Sequence, residues 1–181
     1  TGNECEDRWL RFFQKGGDGE VDTNPIAMLA KGETYQLARA LEVPRSILDA
    51  LPSPDLHGVG DAHNDEDEIR IWSGVDWTYS RVDFASGEYS KVGTIEIMSR
   101  FLDAHPELLA DQPLPEELLS ALAREAEPLF DRSHAVVMAF LESCRALERM
   151  TRHKANPNCP ALGSRGPMLA RGILTNTLPK L

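Results

Sequence analysis

Apolar residues return every three or four positions along several stretches of the chain, the spacing that turns one face of a helix inward. The strongest stretch begins at Ser133, which is placed to cap it, and carries Val137, Leu141, Cys144, Leu147 and Met150. Shorter helical patterns cover about 94 to 104 and, after Pro115, about 115 to 127. Nearer the N-terminus, Thr34, Leu37, Ala38 and Leu41 repeat at helical spacing between Lys31 and Leu41. Pro44 then starts a second short helix with Ile47, Leu48 and Leu51, and Pro52 and Pro54 stop it. Elsewhere the period is lost. Residues 16 to 25, Gly-Gly-Asp-Gly-Glu-Val-Asp-Thr-Asn-Pro, predict a glycine-rich surface loop leading into a short extended piece around Pro25-Ile26. Residues 57 to 68, rich in Gly, Asp and Glu, predict a mobile loop, and 69 to 94 scatter Trp, Tyr and Val in a way that predicts loop with short turns.

Composition narrows the class. The 181 residues suffice for one compact domain, and 41% apolar with 27% charged is ordinary for a globular protein. The apolar runs are too short to cross a bilayer, and no secretory leader opens the chain, so no membrane role is expected. The absence of an initiator Met suggests a piece cut from something longer, and removal of a Met or a tag would look the same. Cys5, Cys144 and Cys159 show neither disulfide nor zinc spacing, which points to a reducing cytoplasm. A net charge of −10 argues against nucleic acid as a partner, so any phosphate must be met by a few placed cations.

Candidates for that role cluster in order. Thr1-Gly2-Asn3 is followed by Glu6, Lys15, Gly17-Asp18-Gly19, Asp22 and Lys31, and Arg152-His153-Lys154 ends the strongest helix ahead of Pro157 and Pro160. Glu6 is a hard oxygen ligand of the kind Mg2+ prefers, or simply a surface acid. Asp18 is flanked by glycines that let a ligand approach, although Gly-Asp-Gly is also a common turn. Lys31 sits in the first turn of a helix, where the dipole disfavours a cation; a bound phosphate or carboxylate accounts for it, and so does a tolerated exposed lysine. His153 and Lys154 suit the negative end of their helix with or without a ligand.

Taken together, this run resembles the NAD synthetases, N-type ATP pyrophosphatases that use ammonia or glutamine, in their C-terminal half. The family pattern has a Gly-Thr-Gly-Asn turn, a metal-binding Glu, a Gly-Asp-Gly loop, a second Asp, a Pro-containing strand and a Lys that opens the next helix. Leu37-Ala38-Arg39, Val43-Pro44, Ile47-Leu48 and Pro52-Ser53-Pro54-Asp55-Leu56 continue that pattern in order, and His153-Lys154 resembles its closing motif. The likeness covers residues 1 to about 58 closely and about 134 to 165 loosely. It implies an α/β fold of Rossmann-like adenine nucleotide alpha hydrolase type, mostly helical in this segment with one or two parallel strands, and leaves 94 to 132 as a helical insertion.

The resemblance also implies a function: ATP-dependent amidation of deamido-NAD to NAD, with AMP and pyrophosphate released through an adenylylated intermediate. Its site would comprise Asp18, Lys31 and Lys154 as catalytic residues, and Lys15, Asp18, Asp22, Lys31 and His153 around deamido-NAD. Thr1, Lys31, Ser53 and Lys154 would meet ATP and its phosphates, and Glu6 would hold Mg2+. Ammonia would come free or from a glutaminase, and a cytoplasmic homodimer is implied. Two departures stand out. Pro54 takes the place of a small residue and offers no N–H. The family's Ser-Gly-Gly-x-Asp-Ser loop for ATP is absent from the sequence, and Ser73-Gly74-Val75-Asp76 is only a chance echo of it. That half is expected from another chain or a longer parent, and alone the chain should not make NAD. The alternatives are a related ligase such as a GMP synthetase, or a non-catalytic dimerisation or regulatory remnant.

Overall fold

The computed structural model describes residues 7, 9–13, 22–53, 64–155 and 170–171. Among them the chain is mainly helical: α1 (Lys31–Ala40), α2 (Arg45–Leu48), α3 (Asp65–Ser73), strands β1 (Arg81–Val82) and β2 (Tyr89–Lys91), then α4 (Thr94–Ala104), α5 (Glu116–Phe130) and α6 (His134–Thr151). Single 3-10 turns at Pro106–Leu109 and Arg152–Ala155 follow α4 and α6.

The core lies where α4, α5 and α6 meet. α5 and α6 form an antiparallel pair around Asp131, which takes the left-handed conformation that ends α5 (φ 50°). Leu122, Ala123, Ala126 and Phe130 of α5 face Val137, Phe140, Leu141 and Cys144 of α6, all buried. Pro128 falls in the last turn of α5, where it cannot donate to Arg124 O and so removes one hydrogen bond from the helix. Two tryptophans lock outlying segments onto this pair. Trp77 is 1% exposed, stacks edge-on against Phe140 with ring centroids 4.8 Å apart, and donates its indole N–H to Ser143 Oγ at 2.9 Å. Trp9, fully buried beside Trp77, donates to Ser99 Oγ of α4 at 2.8 Å. Each serine supplies the acceptor that a buried indole needs.

Several expectations change. The helices at 31–41, 94–104, 115–127 and from Ser133 onward form, with α5 running on to Phe130. The extended piece at Pro25-Ile26 is instead a pair of tight turns, in which Ala27 N–H reaches Asn24 O and Leu29 N–H reaches Ile26 O. Pro25 suits the second position of such a turn. The acidic run is not loop: Asp65, Glu66, Asp67 and Glu68 form the first turn of α3 behind an Asn64 cap, whose Oδ1 accepts the Asp67 N–H at 3.0 Å. Carboxylates at that end are favoured by the helix dipole. Residues 57–63 of the expected loop lie outside the described residues.

Residues 69–94 also hold more order than their pattern suggests. α3 continues to Ser73, and β1 and β2 pair antiparallel, Arg81 opposite Lys91 and Val82 opposite Tyr89 with an irregularity between. That is the sheet present among the described residues; parallel strands are not found among them. Met150 leaves the apolar stripe of α6 and is 61% exposed, its inward place taken by buried Thr151. No helix among the described residues is long and apolar enough to cross a membrane.

Candidate functional site

Thr1, Glu6, Lys15 and Asp18 lie outside the described residues, whereas Asp22, Lys31, Ser53, His153 and Lys154 lie within them. Asp22 and Ser53 are exposed. The lysines occupy two different seats.

Lys31 opens α1. Its ammonium stands 5.2 Å from the centroid of the Tyr79 ring, over the ring face, where the quadrupole attracts a cation. The same helix end is trimmed by Glu33, whose Oε2 accepts the Ala30 N–H at 2.8 Å. Ring and carboxylate together offset the dipole that makes a first-turn lysine costly. Tyr79 is held in turn: its N–H donates to Glu66 Oε1 of α3 at 2.7 Å, and that oxygen also accepts from Arg81 at 3.0 Å.

Beside Lys31 the backbone of Gly32 lies against the Tyr89 ring so closely that a Cβ there would collide with it. The Tyr89 hydroxyl donates to Glu96 Oε1 at 3.1 Å. Glu96 is 1% exposed yet fully served: Ser80 Oγ donates to its Oε2 at 2.5 Å, and Arg100 to its Oε1 through Nε at 3.0 Å and Nη2 at 2.7 Å. Arg100 also reaches Glu33 Oε1 at 3.3 Å, joining α4 to α1. Burial, then the charge of Glu96, pushes the Tyr89 phenol up to about 12. Farther along α1, Gln36 donates to Gly87 O at 2.7 Å and Arg39 to Phe84 O at 2.8 Å, so the helix rests on the β1–β2 turn.

The second seat is at the end of α6. Lys154 donates to Arg11 O at 2.9 Å and lies over the Phe13 ring at 5.8 Å. Burial, with Arg11 close by, pushes its pKa below the ordinary 10.5 although Asp7 opposes the shift. His153 turns to solvent and bonds Met150 O through Nδ1 at 2.9 Å. Arg11 itself is buried against Glu148, to which Arg152 is also paired, and Thr151 Oγ1 donates to Trp9 O at 3.2 Å. The basic helix end thus clasps residues 9–13.

An open cleft of about 760 Å³ lies elsewhere, floored by Trp77 and Phe140 and rimmed by Arg70, Lys91 and Arg132; it includes none of the expected site residues. Ser73-Gly74, the echo of an ATP loop, is a helix stop: Gly74 takes the left-handed cap (φ 70°) and Ser73 Oγ donates back to Ile69 O at 2.7 Å. No group of three or more carboxylate, His or Cys side chains among the described residues is set to hold a metal ion.

Sequence reasoning passed over Tyr79, Tyr89, Glu96 and Arg100. One signal was available: Glu96 and Ser99 are polar positions within the buried stripe of α4 formed by Ile95, Met98, Phe101 and Leu102.

The segment that presents Lys31 lies in the part of the chain that is similar to known proteins. The model of NAD synthase matches residues 1–85. The NH(3)-dependent NAD(+) synthetase of Methanococcoides burtonii is 39% identical over 83 residues, 46% of this chain and 28% of the relative. That of Archaeoglobus fulgidus is 44% identical over 71 residues, 39% of this chain and 27% of the relative. That of Thermoplasma volcanium is 34% identical over 110 residues, 60% of this chain and 43% of the relative. The chain therefore matches between about a quarter and two fifths of the length of these relatives. No solved structure matches it. α1, α2, α3 and β1 fall inside the family match; β2, α4, α5 and α6 fall beyond it.

Proposed function

We propose that the chain takes part in the ATP-dependent amidation of deamido-NAD to NAD, together with a nucleotide-binding half that carries the Ser-Gly-Gly-x-Asp-Ser loop. The observation that carries this proposal is the NAD synthase match over residues 1–85, with relatives named as NH(3)-dependent NAD(+) synthetases. In the reaction, a carboxylate oxygen of deamido-NAD attacks the α-phosphorus of ATP, and the bond to pyrophosphate breaks. Ammonia then adds to the acyl carbon, AMP leaves with the electrons of the acyl–oxygen bond, and the nitrogen gives up one proton to solvent.

Lys31 is the described residue best suited to that chemistry. A half-buried ammonium at a helix N-terminus, seated on a ring, is pre-aimed at an anion and needs little reorganisation as charge develops. Asp18, Asp22, Lys15 and His153 are proposed to face deamido-NAD, Thr1, Ser53 and Lys154 the phosphates, and Glu6 the magnesium ion. When bound, that ion would neutralise phosphate charge. Free or glutaminase-derived ammonia, a homodimer and a cytoplasmic site of action belong to the same proposal.

A second reading, an interaction module without catalysis, is favoured by one observation: Lys154 is spent on the Arg11 carbonyl and the Phe13 ring. Acetylation of Lys31 with trace acetic anhydride in the chain mixed with that nucleotide-binding half, followed by mass spectrometry with and without Mg-ATP and deamido-NAD, separates the two. Protection of Lys31 by these ligands supports catalysis, and none at saturating ligand supports the module.

A further inference from the structure

We propose that Glu96, acting through Tyr89 and Ser80, is the positioning residue that fixes Lys31, so that residues beyond the family match complete the seat of a lysine inside it. The inference rests on the functional reading only for what Lys31 does, and not for how it is held.

Two routes run from one carboxylate to both sides of the lysine. On one side Glu96 Oε1 accepts the Tyr89 hydroxyl, and the Tyr89 ring lies on Gly32, the residue next to Lys31. On the other, Glu96 Oε2 accepts the Ser80 hydroxyl, and Ser80 is the neighbour of Tyr79, whose ring lies under the Lys31 ammonium. The Ser80 oxygen also accepts the Gly93 N–H at 2.9 Å, which ties the turn before α4 to the same point. Gly93 is packed so tightly on Thr78 and Tyr79 backbone that no side chain fits there. A third link, Arg100 from Glu96 to Glu33, holds the carboxylate that trims the start of α1.

The arrangement is costly to keep without a use. A fully buried carboxylate loses its hydration, and replacing such a centre with an apolar side chain is often neutral or stabilising. What the centre provides here is geometry: α1, β1, β2 and α4 are registered to one another through one carboxylate. A core leucine at position 96 would fill the volume and leave Tyr89, Ser80 and Arg100 without that common reference.

The test is competitive acetylation of the unliganded chain, reading the rate at Lys31 relative to Lys154, which sits on Arg11 away from this cluster. Glu96→Gln and Tyr89→Phe are compared with wild type, with far-UV circular dichroism and the melting temperature measured on the same samples. Tyr89→Phe keeps the ring over Gly32 and removes only the hydroxyl, so it stays informative if Glu96→Gln fails to fold. The Lys31 to Lys154 ratio is expected to rise about fivefold in each folded variant, the factor that one net hydrogen bond carries. A ratio that stays within about twofold of wild type, or equal rises at both lysines, overturns the proposal. No substrate is present, so loss of ligand protection at Lys31 would sink the proposed function and leave this result standing.

Discussion

Removing the Glu96 carboxylate should unsettle the chain more than any exposed charge could. In Glu96→Ala, the Ser80 hydroxyl, fully buried and now donating at 2.5 Å, loses its acceptor, and so does the half-buried Tyr89 hydroxyl at 3.1 Å. The Arg100 side chain is 59% exposed and can turn to water, so it adds little. An orphaned buried donor costs about 1 to 3 kcal/mol, and the space left by the side chain about 1 more, which puts the loss near 4 kcal/mol. Glu96→Gln keeps the volume and one acceptor oxygen, and should lose about 2 kcal/mol. Urea unfolding followed by tryptophan fluorescence reports both, because Trp77 and Trp9 are buried in the core beside this cluster. With a slope of about 1.5 kcal/mol/M, the midpoint should fall by about 2.5 M in the alanine variant with the slope unchanged. A loss under about 0.5 kcal/mol, the size of an ordinary surface substitution, would refute the claim that the carboxylate organises its neighbours.

Three further outcomes follow from the same geometry. Tyr89 should ionise late, its pKa being pushed up to about 12, so ultraviolet titration of Tyr89→Phe should lack that late step. Because its folded value is raised above 10.0, the stability it contributes is complete below that pH and is lost as pH climbs toward 12. Lys154 has the opposite sign: its folded value lies below 10.5, so the unfolded chain binds more protons in between and stability rises with pH up to about that value. Lys154→Met should flatten that rise in pH-dependent melting while keeping the stem on Phe13. Asn64→Ala should cost about 1 kcal/mol in thermal unfolding by removing the cap on α3, and Asn64→Asp should keep most of it.

The helices were legible wherever the apolar period ran for ten residues or more, as in α1, α4, α5 and α6, since one buried stripe imposes that spacing. α3 was hidden by composition. Its first turn reads as a solvated acidic run, and only the Asn64-x-x-Asp67 cap shows that those charges sit on a helix start. The hairpin was beyond reach for a different reason: strands of two and three residues have no period, and this pair is held by contacts distant in sequence, Arg39 to Phe84 and Gln36 to Gly87. Of the candidate site, the Lys31 position was legible from its order behind Gly17-Asp18-Gly19, but its partner Tyr79 was not. The basic end of α6 was legible as a cluster of cations. Its attachment to Trp9 and Arg11 was not, because nothing local links residues so far apart.

The most direct test of the central claim is NAD formation from deamido-NAD, ATP and ammonia by this chain supplied with a nucleotide-binding half of an NAD synthetase. NAD should form, and Lys31→Ala should lower its rate at least about a hundredfold, the scale of losing one aimed charge in a transition state. A rate unchanged by Lys31→Ala, or no NAD from a folded mixture in which ATP and deamido-NAD leave Lys31 unprotected, would contradict it.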